Sequence, residues 1–95
     1  MARRRYLIAY DIADQKRLRR ICTLMEDHGR RLQYSVFLCD LSTAELVELE
    51  CSAVAIMNSR VDSIVRVDLG SNESPAAVRV IGARREFPGT GPQIV

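Results

Sequence analysis

Positions 6 to 10 read Tyr6-Leu7-Ile8-Ala9-Tyr10, apolar at consecutive rather than alternate positions. A strand that is apolar on both faces must be covered on both, so this run predicts a central strand with Asp11 at its C-terminal end. After Ile12-Ala13, Asp14 is placed to cap a helix, and Leu18, Ile21, Cys22 and Met25 follow at i, i+3, i+4 and i+7. That spacing predicts an amphipathic helix over 14–28, stopped by Gly29. Gln33 to Leu41 alternates as a second strand, with Val36 and Leu38 on one face and Phe37 and Cys39 on the other. Ser42-Thr43-Ala44-Glu45 has the form of a capping box, in which the serine oxygen and the glutamate carboxylate each take a free amide of the first turn. Leu46, Leu49, Ala53, Ile56 and Met57 continue it as the buried stripe of a second helix ending near Asn58. Asp62 to Leu69 predicts a third strand, 70–75 a loop, and Val78 to Ile81 a fourth strand.

Two helices on one face of a mainly antiparallel sheet of four to five strands make an α/β two-layer sandwich of ferredoxin-like character. The strict pattern needs an extra hairpin before the second helix, and a break near Tyr34 or Ser35 supplies it. A single helical layer covers one face of the first strand and leaves the other to a second subunit, for which a symmetric homodimer is the economical arrangement. Residues 1–82 form the expected domain. Residues 83–95, with Pro88 and Pro92, are expected to be a tail, either loose or laid as an edge strand on the partner subunit.

The chain has 95 residues, enough for one core. No apolar run approaches the roughly 20 residues of a membrane span, and a soluble cytoplasmic protein is expected. Cys22, Cys39 and Cys51 are widely spaced within apolar patterns and read as reduced core residues, and the single histidine, His28, excludes a His-rich zinc site. Net charge is +2, but residues 1–39 hold nine basic side chains against four acidic ones, and residues 40–95 hold five against eight. Eight of the nine are arginine, whose planar fork matches phosphate oxygens, so a polyanion, most simply nucleic acid, is the expected partner.

Lys16, Arg17, Arg19 and Arg20 crowd the first half of the first helix, where the macrodipole disfavours cations. They either meet phosphate together with the helix amides or form a solvated face. Asp11 is either an Asx-turn residue closing its strand or an oxygen ligand for a divalent cation contacting a phosphodiester. One carboxylate holds such a cation poorly, whereas a nearby twofold axis would bring a second Asp11 and allow the pair to share Mg²⁺. Tyr10 is core, interface or a hydroxyl that positions phosphate, and Phe37 is packing or a base-stacking platform. No Gly-rich phosphate loop is present.

Tyr6-Leu7-Ile8-Ala9-Tyr10-Asp11-Ile12 with Asp14, the cluster from Arg17 to Arg20, and Gly29-Arg30-Arg31-Leu32-Gln33-Tyr34-Ser35-Val36-Phe37 together resemble the small CRISPR-associated spacer-acquisition proteins of the "Cas two" family. The resemblance spans nearly the whole chain. It implies a ferredoxin-like homodimer whose C-terminal segment joins the sheet of the opposite subunit. It also implies a partnership with the CRISPR integrase, in which the small dimer bridges integrase dimers and holds a double-stranded DNA prespacer. Some members are metal-dependent endonucleases on single-stranded RNA or double-stranded DNA. By position, Asp11 would be the catalytic residue and Mg²⁺ ligand, and Tyr10, Arg20, Arg31 and Phe37 would support the site, with Arg17 and Arg19 alongside Leu18 as further candidates for binding substrate. Leu18 stands where some relatives carry arginine. Two other functions compatible with the residues are a non-catalytic DNA-binding scaffold and a regulatory ferredoxin-like module for a metabolite.

Overall fold

A computed structural model describes residues 2–83. The elements follow in the order β1 (Arg4–Asp11), α1 (Gln15–Glu26), β2 (Arg30–Gln33), β3 (Val36–Leu41), α2 (Thr43–Ile56) and β4 (Ser63–Ser71). The strands make one antiparallel sheet in the order β2-β3-β1-β4. This is the ferredoxin-like arrangement that the alternation of patterns predicts, with the apolar first strand at its centre.

Local chemistry sets the helix ends. Asp14 holds an extended backbone and its carboxylate accepts from the Arg17 amide at 3.0 Å, which starts α1. At α2 the capping box is complete: the Glu45 amide donates to Ser42 Oγ at 3.2 Å and the Ser42 amide to Glu45 Oε1 at 2.9 Å. The expected strand Gln33–Leu41 is shortened to β3: a turn at Tyr34-Ser35 separates it from β2, which pairs back on it and three of whose four residues, Arg30 to Leu32, precede the expected start.

Tyr6, Ile8 and Tyr10 of β1 share a face with Phe37, Cys39 and Leu41, and Ile21, Met25, Leu46, Leu49 and Ala53 close over them. Phe37, Ile21 and Cys39 are fully buried. The opposite face carries Leu7 and Ala9 with their cross-strand partners Leu38, Val36, Val67 and Val65. Neither helix lies on that side; Val65 and Val67 are exposed, Leu7, Ala9 and Val36 are half-buried, and Leu38 is buried.

Two expectations are corrected. Val78–Ile81 forms no strand: residues 75–81 have no regular structure and Ile81 is 94% exposed. An alternating pattern is only half of a strand; the other half is a neighbour to pair with, and β4 pairs with β1 alone among the described residues. Cys51 is exposed rather than core, because it falls off the Leu46-Leu49-Ala53 stripe of α2; Cys39 is buried and Cys22 half-buried, and all three are free thiols. The expected tail lies outside the described residues except for Ala83.

Candidate functional site

Asp11 ends β1 opposite Ser63 of β4, on the helix-free face that carries Leu7 and Ala9. Its side chain is exposed, and its carboxylate makes no hydrogen bond or ion pair among the described residues. Side chains alternate along a strand, so Tyr10 points to the other face. There its ring is buried, stacks on Phe37 with centroids 6.2 Å apart, and its hydroxyl donates to the Tyr34 carbonyl at 3.5 Å. Arg31 lies over the same ring system, with its guanidinium carbon 5.3 Å from the Phe37 centroid and 5.6 Å from that of Tyr34, and it donates to Cys22 Sγ. Burial and the neighbouring Cys22 push the Tyr10 hydroxyl up to about 12, so it is a neutral donor at physiological pH. Tyr10, Phe37 and Arg31 are thus brought together with one another, under α1, and not with Asp11. A fully buried Phe37 offers no face to a base; here it packs.

The arginines separate into paired and unpaired sets. Arg3 meets Glu45, Arg4 meets Asp68, Arg5 meets Asp40 and Arg17 meets Asp62, at 2.6, 3.0, 2.7 and 2.8 Å. Each acid comes from the second, acidic part of the chain, so the apparent excess of positive charge in residues 1–39 is partly consumed inside the fold. Among the described residues Lys16, Arg19, Arg20 and Arg30 form no salt bridge, although Lys16 lies close enough to Asp14, and Arg30 to Asp40, to help hold those carboxyls below their usual range. Arg19 and Arg20 are exposed and, with Thr23, Leu24, Asp27 and Ile56, line a shallow groove of about 370 Å³ between α1 and α2.

Asp62, read from the sequence only as the first residue of a strand, is the buried carboxylate to which Arg17 is bound, and Arg17 holds its pKa well below the usual carboxylate range. Its other donors are the amides of Ala13 and Asn58. Only the Asn58 contact is local, four positions away; Ala13 and Arg17, which set its partners, are more than forty positions away. No group of three or more potential metal ligands occurs among the described residues, and no helix there is long and apolar enough to cross a membrane.

A ferredoxin-like sheet with two helices on one face, a partly exposed apolar face on the other, an unengaged carboxylate at the end of its central strand and unpaired arginines on the first helix defines a small α/β two-layer protein. The family model of CRISPR associated protein Cas2 matches residues 4–75, and the chain belongs to that family. It is 40% identical over 79 residues to "CRISPR-associated endoribonuclease Cas2 2" of Thermodesulfovibrio yellowstonii, covering 83% of this chain and 86% of that one. Among solved structures it is similar to Streptococcus pyogenes Cas2, with a TM-score of 0.63 and 34% identity over 66% of this chain and 82% of that chain. A hypothetical protein of Thermus thermophilus superposes with a TM-score of 0.74 at 30% identity, covering 87% and 95% of the two chains.

Proposed function

We propose that the protein acts in CRISPR spacer acquisition with the CRISPR integrase, as a homodimer that binds nucleic acid and hydrolyses phosphodiester bonds at Asp11 with Mg²⁺. The observation that carries the reading is the Asp11 carboxylate: exposed, unengaged among the described residues, and at the end of the apolar face formed by Leu7, Ala9, Val65 and Val67. Burying that face against a second copy would remove apolar surface from water and bring two Asp11 ends towards one axis. The similar protein of T. yellowstonii is named an endoribonuclease, which supports the hydrolytic part.

The donor set fits Mg²⁺ in kind, because Asp11 offers hard oxygens and this ion is commonly held by one or two carboxylates together with substrate phosphates. It does not fit a metal caged by one subunit, since no group of three or more potential ligands occurs among the described residues. When bound, Mg²⁺ supplies a Lewis acid that offsets charge on the phosphoryl oxygens. Asp11 would hold it, and Lys16, Arg19 and Arg20 would attract the phosphate backbone.

The deciding experiment is a nuclease assay of wild type and Asp11→Asn on single-stranded RNA and duplex DNA, with and without Mg²⁺. Cleavage that needs Mg²⁺ and disappears in a variant that still dimerises supports hydrolysis at Asp11; cleavage that survives the substitution refutes it. A second reading, a non-catalytic dimeric scaffold for the double-stranded prespacer, is favoured by the unpaired arginines of α1, which need no metal to bind phosphate. Under that reading Asp11→Asn leaves DNA capture and spacer insertion unchanged.

A further inference from the structure

Asp62 receives four hydrogen bonds. Its Oδ1 accepts from the Ala13 amide at 2.9 Å and from Arg17 Nη2 at 3.3 Å, and its Oδ2 accepts from Arg17 Nε and the Asn58 amide, each at 2.8 Å. The side chain is wholly buried. The arrangement is confined to the end of the sheet where Asp11 lies, and neither Asp62 nor Arg17 belongs to the apolar cluster that joins helices to sheet.

The donors come from the segments that meet at Asp11. Ala13 is two residues beyond Asp11 in the short connection into α1, and Arg17 stands in the first turn of that helix, within 4.0 Å of the capping Asp14. On the other side, Asp62 immediately precedes Ser63, the cross-strand partner of Asp11. One carboxylate therefore ties together the exit of β1, the start of α1 and the entry of β4. Ile12 packs against the core and Asp14 caps α1, so the bond from the Ala13 amide to Asp62 adds the fixed point between them in the backbone leaving Asp11.

We infer that Asp62 and Arg17 are positioning residues for the Asp11 carboxylate, with Arg17 serving the site from within the fold instead of gripping the nucleic acid. The inference rests on the reading of Asp11 as a metal ligand. Arg17 spends its guanidinium fork on Asp62, a two-point contact with the geometry a phosphate would otherwise require. The cations left for the phosphate backbone are its neighbours Lys16, Arg19 and Arg20.

The test uses the full-length protein and Mn²⁺ as a paramagnetic probe, following broadening of backbone amide NMR signals around Asp11, with duplex-DNA affinity measured in parallel over a range of salt. Asp62→Asn and Arg17→Met are each expected to raise the Mn²⁺ concentration for half-broadening at least fivefold, and the double variant is expected to be no worse than the singles, as for residues acting as one unit. DNA affinity and its salt slope should stay within twofold of wild type. If either variant does not fold, Arg17→Lys, which keeps the charge and loses the fork, is expected to show at least a twofold shift. The inference is overturned if Mn²⁺ binding is unchanged, or if Arg17→Met alone weakens DNA binding and lowers the salt slope by about one, the signature of a phosphate contact. Should wild type show no Mn²⁺ effect near Asp11, the metal reading fails separately. Positioning is then decided by hydrogen exchange at the Ala13 amide in metal-free protein: at least tenfold faster in Asp62→Asn supports it, and an unchanged rate overturns it.

Discussion

Gly29 joins α1 to β2, and replacing it by alanine tests how tightly the helix layer is seated on the sheet. A Cβ at this position would lie 2.3 Å from the Leu38 carbonyl oxygen and 2.5 Å from Cys39 Sγ. Ordinary contacts with a carbonyl oxygen require about 1 Å more, and neither neighbour yields easily. Leu38 is a backbone position of β3 paired on both sides, to Leu7 and Arg30, and Cys39 is fully buried beside Tyr6. Forcing a methyl group into such packing costs about 1–3 kcal/mol, occasionally more, and this overlap belongs at the upper end. Reduced freedom of the unfolded chain offsets about 0.4–1 kcal/mol of it, leaving a net loss of about 2 kcal/mol. For a domain of this size that lowers Tm by about 8–16 °C. Thermal and urea unfolding followed by circular dichroism measures it, with Glu48→Ala on the exposed side of α2 as the control, expected within about 0.5 kcal/mol of wild type. Gly29 is not among the positive-φ glycines, which are Gly70 and Gly82. Its requirement is therefore steric, and Gly29→Asn should be worse than Gly29→Ala. The opposite order, which a left-handed helix cap would produce, or an alanine variant as stable as wild type, refutes the reasoning.

Three further outcomes are expected. Val67→Glu puts a charge on the helix-free face without touching the core, so by light scattering the mass should fall from that of two copies to that of one, with the circular dichroism spectrum unchanged. Arg19→Ala and Arg20→Ala should each weaken duplex binding and lower the slope of log affinity against log salt by about one, while Arg4→Ala, whose cation is already paired with Asp68, should have less effect on that slope. The Asp62 carboxyl is held below its ordinary range by Arg17 first and then by the Ala13 amide, so its contribution to stability is complete above the unfolded carboxylate value of about 4 and is lost as the pH falls below it. Urea midpoints measured down to pH 2 should fall for wild type, with Asp62→Asn showing a shallower decline.

Much of the fold is legible along the chain because it is decided by neighbours. The doubly apolar run of β1, the Asp14 cap and the Ser42-Glu45 box each follow from residues within a few positions of one another, and each stands in the structure where the pattern places it, whereas the break at Tyr34-Ser35 follows only from the hairpin that the fold class requires. Gly29 is a partial case: the boundary it marks is correct, but the close approach of Leu38 that demands it is not visible locally. The candidate site was legible in its parts and not in its grouping. Asp11 and Tyr10 are adjacent in the chain and on opposite faces of the sheet, and Phe37 and Arg31 go with Tyr10.

Periodicity and capping chemistry by themselves determined β1, both helices, β3 and β4, together with the apolar second face of β1 and the acidic end of that strand, since these depend on spacings of two to four residues; β2 was not among them. Which cations remain unpaired was decided only by the tertiary structure. Arg4 meets Asp68 and Arg17 meets Asp62 across 64 and 45 positions, and a count of charge along the chain carries no information about which opposite charges the fold brings within reach. The absence of a strand at Val78–Ile81 has the same origin: its residues suit an extended backbone, but a strand exists only where a second one supplies the hydrogen bonds.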